Sequence, residues 1–161
     1  MVDVQVDSHP LMIAAASFCR ELCDHQKVEI DFHSSDVPEK LPEEISLCLF
    51  RVLREALQNA IRHCGSKRFE VRLGCISNQI QLTVRDSGIG FDPEEAFKDQ
   101  VLGLTSMRER LKLDDGKLSI ELNLGSGTLI RSSEPLPART AFAQAARYNL
   151  CPSIFGDRVA A

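Results

Sequence analysis

The sequence has no long apolar run, no surplus of basic residues and no Gly-Lys-Ser/Thr tripeptide. A membrane-spanning helix needs about 20 apolar residues in succession, which no segment supplies. The 19 basic residues are outnumbered by 23 acidic ones and form no stripe, which argues against binding to nucleic acid. The missing tripeptide excludes a P-loop. Residues 11–19 are apolar but lack the preceding positive segment of a signal peptide, so we expect a cytoplasmic chain without a membrane segment.

The six cysteines are scattered along the chain rather than spaced as a disulfide framework. Several fall on predicted apolar faces, which is typical of free thiols in a reducing cytoplasm. Cys19, Cys23 and His25 come nearest to a metal site, because the two cysteines lie one helical turn apart. A structural zinc site needs a second pair of ligands, and none follows at a suitable spacing. We therefore predict no metal at this position.

The length of the chain suits one domain with a hydrophobic core. Alternating apolar and polar residues predict five strands, at 28–33, 68–76, 79–86, 118–124 and 128–131. Helical periodicity and end signals predict helices at 10–26, 42–64 and 103–113, with a short capped helix after Phe91. Because the strands alternate and the helices are apolar on one side, we predict a two-layer α/β (α+β) sandwich whose helices cover one sheet face.

The segment Val84–Asp92, VRDSGIGFD, joins a predicted strand to a glycine-rich loop. Asp86 lies where the strand ends, and Gly88 and Gly90 follow closely. Glycine tolerates positive φ and lets a ligand approach the backbone. The segment therefore indicates a binding loop that begins with a carboxylate. A plain surface turn is the alternative, because Asp-Ser-Gly is common in turns.

The helix predicted at 42–64 carries polar residues beside its apolar stripe. Glu55, Asn59 and Arg62 are about one turn apart, so their side chains form a row, and His63 lies near the edge of the stripe. Carboxylate and amide oxygens suit a hard cation such as Mg²⁺, and the cationic side chains suit phosphates. The alternative is a solvated helix face with an intrahelical ion pair.

A third segment, Gly103–Leu111 or GLTSMRERL, must be considered together with Val84–Asp92 and the helix at 42–64. In chain order the three resemble the N, G1 and G2 boxes of the GHKL ATPases, the superfamily of gyrase, MutL, heat-shock chaperone and histidine kinase ATP-binding domains. More narrowly, the combination is similar to sensor histidine kinases of the nitrate-sensor (NarX-like) class. Those kinases show Arg and Glu-Ala-Leu-x-Asn-Ala, then Asp-x-Gly-x-Gly-Phe, then Gly-Leu-x-x-Met-Arg-Glu-Arg. The matching residues here are Arg51, Glu55–Ala60, Asp86–Phe91 and Gly103–Arg110.

The resemblance extends over roughly residues 9–135 and implies the Bergerat fold, with a mixed, largely antiparallel sheet. It assigns residues 1–26 to the end of a dimerisation helix and its linker, and residues 27–135 to the ATPase domain. Residues 136–161 form a tail that the resemblance does not cover. ATP would lie between the long helix and a lid at 98–102.

The ligands implied by the resemblance are ATP and Mg²⁺. Asp86 would accept a hydrogen bond from the adenine amino group and so discriminate against guanine, which has an oxygen there. Gly88 would let the backbone turn close to the nucleotide, and Thr128 would lie on the adenine side. Further nucleotide contacts are implied for Gly90, Phe91, Gly103 and Leu104. The last two begin a helix whose amino end would approach the phosphates.

On the phosphate side, the resemblance implies that Asn59 coordinates Mg²⁺. Glu55 would be the catalytic residue, polarising the attacking group or a water held by the metal. Arg62 and His63 would lie near the phosphates. Many relatives have lysine at the position of Arg62, a change that keeps the charge but alters the geometry.

The implied activity is that of a protein histidine kinase. Such a kinase transfers the γ-phosphoryl group of ATP to a histidine on a dimerisation helix, which then supplies a response regulator. None of the four histidines here lies in that helix motif. We therefore predict Mg-ATP binding without autophosphorylation by this chain alone, and a homodimer only where dimerisation helices are present.

Two alternatives remain open for the function. The first is an ATP-binding regulatory module without phosphotransfer, which the unusually polar residues 130–135 and the tail favour. The second is a serine kinase of the anti-sigma type, against which the segment Met107–Arg110 argues.

Overall fold

The computed structural model describes residues 9–63, 65–88, 109, 112, 116–123 and 127–137. Its elements in chain order are α1 Pro10–Gln26, β1 Glu29–Ser35, α2 Glu43–His63, β2 Arg68–Ile76, β3 Gln79–Asp86, β4 Lys117–Asn123 and β5 Gly127–Pro135. The short helix after Phe91, the lid, most of the helix at 103–113 and the tail beyond residue 137 lie outside the described residues. In the described part, neither helix combines the length and hydropathy that a bilayer crossing requires.

The strands form one mixed sheet in the order β1-β2-β3-β5-β4. β1 and β2 are parallel, whereas every other neighbouring pair is antiparallel. The β2–β3 hairpin turns at Ser77 and Asn78, whose φ angles are 50° and 62°. Two positive φ angles suit a two-residue hairpin link, because their twist matches that of the flanking strands. The predicted mixed, largely antiparallel sheet is confirmed.

One face of the sheet is buried beneath the helices. Side chains of β1, β2 and β3 alternate between buried and more exposed positions. The strand register sets buried residues side by side, with Ile30 beside Phe69 and Phe32 beside Val71. The buried stripe of α2 consists of Ile45, Leu49, Val52, Leu53, Ala56, Leu57, Asn59 and Ala60. The predicted two-layer sandwich is confirmed, because the strand and helix periods direct apolar side chains into one common layer.

The second helix of this layer is α1, which contacts both α2 and β1. Its buried residues are Leu11, Met12, Ala15, Ala16 and Cys19. Phe18 meets Phe50 of α2 edge to face, with ring centroids 5.9 Å apart. Aromatic pairs prefer this geometry over a face-to-face sandwich. The helix predicted at 10–26 is confirmed, whereas its assignment to the end of a dimerisation helix stays a prediction.

The two cysteines of α1 are free thiols. Burial raises the pKa of Cys19 to about 12, and the neighbouring Cys23 adds to this effect. A raised pKa keeps the Cys19 sulfur protonated at neutral pH. Cys19 therefore acts as a small apolar side chain of the core.

Strand β5 is longer than the sequence predicts. The prediction ended near Arg131, but β5 continues to Pro135 between β3 and β4. Its core-facing side chains include Ser132 and Glu134, both 0 % exposed, which lie beside Leu82 and Ile80 of β3. The prediction was wrong because it recognised strands by apolar residues on the buried face. Here polar residues hold those positions, and the backbone ladder to β3 and β4 maintains the strand.

The start of α1 makes the stability of the domain depend on pH. The Nδ1 atom of His9 accepts a hydrogen bond of 3.1 Å from the Leu11 amide, and burial lowers the pKa of His9. The lowered pKa means that protonation favours the unfolded chain, so this stability is present above a pH of about 6.5 and is lost as the pH falls. We expect His9→Asn, which caps without titrating, to weaken the decline of the urea midpoint between pH 7.5 and pH 5.

The control for this prediction is His25→Asn, at an exposed position in the last turn of α1. We expect that variant to keep the wild-type pH dependence. Equal pH profiles for His9→Asn and the wild type would show that the cap is not the titrating contact.

Candidate functional site

The topology brings the predicted site residues of α2 and β3 to one end of the sandwich. The parallel strands β1 and β2 are connected through α2, so α2 runs opposite to both. β3 is antiparallel to β2 and therefore runs in the same direction as α2, against which it packs. The register sets Asp86 beside Phe69, near the start of β2 and close in sequence to the end of α2. The carboxyl-terminal ends of α2 and β3 therefore lie at the same end of the sandwich.

Asp86 is the last residue of β3 and lies on the buried face, with 2 % of its surface exposed. Its Oδ1 atom accepts a hydrogen bond of 2.9 Å from the amide of Gly88. A carboxylate offers roughly four acceptor positions, and this bond orients the group. The same bond is typical of the Asp-Ser-Gly turn of the alternative interpretation, but the carboxylate that makes it is buried rather than exposed on the surface.

Asn59 and Glu55 form a contact pair on α2. Asn59 is 5 % exposed, and its Nδ2 atom donates a hydrogen bond of 3.2 Å to Oε1 of the half-buried Glu55. Because its nitrogen is engaged, the Asn59 side chain presents its oxygen to other ligands. An oxygen of this kind suits a hard cation. The alternative of a solvated helix face does not fit Asn59, although it does fit the exposed Arg62.

The cationic residues of α2 lie in its last turn. Arg62 is exposed and His63 is half-buried, and both belong to the end of the helix that is nearest Asp86. A ligand with negative charge would find these side chains at the same end of the sandwich as the oxygens of Asn59 and Asp86. Their contacts with phosphate remain a prediction.

Gly127 is a residue of this site that the sequence reasoning missed. It begins β5 with a φ of +91°, and a Cβ atom added to it would overlap the Asp86 carbonyl oxygen and lie 2.9 Å from Oδ1. The first residues of β5 therefore touch the carboxylate at the end of β3. The available signal was the Gly-Ser-Gly-Thr sequence, from which only Thr128 was assigned to the nucleotide site.

The other predicted site residues are described in part or not at all. Gly88 is half-buried, and Thr128 lies in β5 beside Leu122 of β4. Outside the described residues lie Gly90, Phe91, Gly103 and Leu104.

Comparisons with known proteins extend this description. Residues 44–138, more than half of the chain, match the family of histidine kinase-, DNA gyrase B-, and HSP90-like ATPases. The histidine-protein kinase/phosphatase DegS of Bacillus subtilis is 34 % identical over 114 residues, which are 68 % of this chain and 30 % of DegS. The oxygen sensor histidine kinase NreB of Staphylococcus carnosus is 28 % identical over 131 residues, 81 % of this chain and 38 % of NreB. The chain thus spans about a third of the length of these relatives.

Solved structures show the same architecture. The histidine kinase domain of a blue-light activated kinase from Erythrobacter litoralis aligns with a TM-score of 0.65 at 21 % identity, over 82 % of this chain and 64 % of that one. Full-length ShkA in complex with AMPPNP aligns with a TM-score of 0.66 at 19 % identity, over 84 % of this chain and 32 % of ShkA. At these identities the likeness shows the fold alone, which is the Bergerat-type sandwich. Together with the family match, these findings show that the chain belongs to the histidine kinase-, DNA gyrase B- and HSP90-like ATPases, as an ATP-binding domain of the sensor histidine kinase type.

Proposed function

We propose that this domain binds Mg-ATP between Asp86 and the end of α2, and donates the γ-phosphoryl group to a histidine on a separate dimerisation helix. The observation that carries the proposal is the presence of two buried side chains with ligand oxygens at one end of the sandwich. Asp86 and Asn59 are 2 % and 5 % exposed, whereas most aspartate and asparagine side chains in proteins are exposed to solvent.

Asp86 recognises the base in this proposal. The Gly88 amide fixes one carboxylate oxygen, and the group accepts a hydrogen bond from the exocyclic amino group of adenine. Guanine has a carbonyl oxygen at the corresponding position, and two acceptors facing each other repel. The buried carboxylate therefore selects ATP over GTP, and the selection is strong because a buried polar group gains most from a matched partner.

Asn59 and Glu55 serve the phosphate end. The donor set fits Mg²⁺, because the engaged Asn59 nitrogen leaves an amide oxygen beside a carboxylate, and Mg²⁺ prefers oxygen ligands. When bound, the metal neutralises charge on the phosphates. Asn59 would hold the metal. Glu55 orients Asn59 and would attract the proton of the attacking group, and Arg62 and His63 would attract the phosphate oxygens. Glu55 is the catalytic residue of this proposal.

The acceptor histidine comes from a partner domain. We propose that the phosphoryl group passes from ATP to that histidine and then to a response regulator, all in the cytoplasm. The test incubates the chain with γ-labelled ATP, alone and with a dimerisation helix fragment. We expect label only on the added fragment. Acid-labile label on a histidine of this chain, or no label on any tested fragment, would contradict the proposal.

The regulatory-module alternative loses one of its two supports. It relied on the polar residues 130–135 and on the tail as departures from the family pattern, and the tail lies outside the described residues. Residues 130–135 belong to a regular strand, β5, which is paired on both sides. The serine kinase alternative also gains nothing, because the relatives named above are sensor histidine kinases.

The metal role of Asn59 leads to a specific prediction. We expect Asn59→Ala to weaken ATP binding by about 10- to 100-fold in the presence of Mg²⁺, because an oxygen ligand is lost. In EDTA, which removes the metal, we expect a much smaller change. Isothermal titration of ATP under both conditions measures the difference.

Glu44→Gln supplies the control, since Glu44 is an exposed acidic residue in the first turn of the same helix. We expect its ATP affinity to match that of the wild type under both conditions. If Asn59→Ala lost equal affinity with and without Mg²⁺, Asn59 would contact the nucleotide rather than the metal.

A further inference from the structure

We propose that Gly127 is a positioning residue for Asp86, so that the start of β5 determines where the adenine-binding carboxylate lies. This inference rests on the proposed function of Asp86 in recognising the base. It assigns to Gly127 a part in nucleotide selectivity that is separate from the formation of β5.

The contact between Gly127 and Asp86 leaves no room for a side chain. A Cβ atom at position 127 would overlap the Asp86 carbonyl oxygen, and it would lie 2.9 Å from both the carbonyl carbon and Oδ1 of Asp86. Real Cβ atoms essentially never approach heavy atoms so closely. Two of these atoms belong to the backbone, and Oδ1 is held by the Gly88 amide. No flexible side chain can therefore move aside to accommodate the methyl group.

The sheet confines the resulting shift to the ends of β3 and β5. The ladder between these strands runs from Arg85 and Leu129 to Gln79 and Pro135, and moving whole strands would break it. Asp86 and Gly127 lie outside this ladder and are the terminal pairs of their other ladders, opposite Phe69 and Asn123. The least costly response is therefore a local displacement at these two strand ends, which includes the Asp86 carboxylate. The displacement turns the carboxylate away from the position that accepts from adenine.

Gly127 also has a positive φ, and an alanine there is strained for that reason alone. Gly65 separates the two effects. Its φ is +62°, it is exposed, and a Cβ atom added to it would meet nothing within 4 Å. Gly65→Ala therefore introduces backbone strain without a contact to Asp86. A difference in nucleotide affinity between Gly127→Ala and Gly65→Ala therefore measures the effect of the contact with Asp86.

The experiment compares four full-length chains: the wild type, Gly127→Ala, Gly65→Ala and Asp86→Asn. Titration calorimetry gives the affinities for ATP and GTP, and circular dichroism follows thermal unfolding. We expect Gly127→Ala to lose about tenfold or more in ATP affinity and to lower the ATP/GTP affinity ratio by a similar factor, the value of one misplaced hydrogen bond. We expect Gly65→Ala to keep the wild-type ratio, because strain alone does not move the carboxylate.

The outcomes separate the two proposals. If Asp86→Asn keeps the affinity and the ratio of the wild type, Asp86 does not recognise the base and the proposed function fails. If Asp86→Asn loses selectivity while Gly127→Ala matches Gly65→Ala, only the positioning role fails. Should Gly127→Ala be unfolded at 25 °C, the titrations are made at lower temperature with trimethylamine oxide, which favours folded states. A chain that stays unfolded there counts against the proposal, since the glycine would then serve the whole fold.

Discussion

Asp86→Asn is expected to weaken ATP binding by roughly 10- to 150-fold, because hydrogen bonds to charged groups contribute about 1.5–3 kcal/mol. The Gly88 amide donates to Oδ1 of Asp86, and an asparagine would turn its oxygen toward that donor. Its NH₂ group would then face the adenine amino group, donor against donor. The same NH₂ group would donate to the carbonyl oxygen of guanine. We therefore expect the ATP/GTP affinity ratio to fall more than the ATP affinity alone.

Calorimetric titration of ATP and GTP checks this expectation. Asp24→Asn, at an exposed position on α1, makes the same chemical change far from the site in sequence and serves as the control. We expect it to bind both nucleotides as the wild type does. An Asp86→Asn chain that binds ATP normally and excludes GTP would mean that the base lies elsewhere.

Leu57→Ala is expected to lower the free energy of unfolding by about 2–5 kcal/mol. Leu57 is 0 % exposed and belongs to the core cluster beneath the sheet. Truncating the side chain loses the free energy gained by transferring it from water into the core, and it leaves a cavity. Because whole domains are stable by only about 5–15 kcal/mol, this single change removes a large fraction of the total.

Leu47→Ala is the matched control for Leu57→Ala. Both leucines lie in α2, so both variants change helix propensity equally, but Leu47 is 48 % exposed. We expect Leu47→Ala to change stability by less than about 0.5 kcal/mol. Urea unfolding followed by circular dichroism measures both values. Similar losses for the two variants would show that Leu57 is not packed in the core.

The courses of α2, β1, β2 and β3 follow from local patterns. A strand with one buried face alternates, and a helix with one buried face repeats every three to four residues. The sequence has both patterns at 28–33, 68–76, 79–86 and 42–64, and all four elements are present. The hairpin turn at Ser77 and Asn78 was equally local, because two residues suffice to reverse an antiparallel pair.

The polar half of β5 could not be predicted in the same way. Ser132 and Glu134 are completely buried, and their positions became inward-facing only through pairing with Leu82 and Ile80 of β3. Strand partners far apart in sequence decide such a register. A pattern that recognises strands by apolar residues therefore ends too early, and it missed the last four residues of this strand.

The same distinction between local and tertiary information applies to the candidate site. Local sequence alone determined that Asp86 ends a strand before glycines, and that Asn59 follows Glu55 by one helical turn, because both relations depend only on neighbouring residues. The tertiary structure decided that Asp86 faces the buried layer, that α2 and β3 end together, and that Gly127 touches the carboxylate. Strand order and direction determine these three relations, and they join residues up to about forty positions apart in the chain. The physical reason is that a sheet brings distant backbone segments within contact distance, whereas periodicity reports only the environment of each segment.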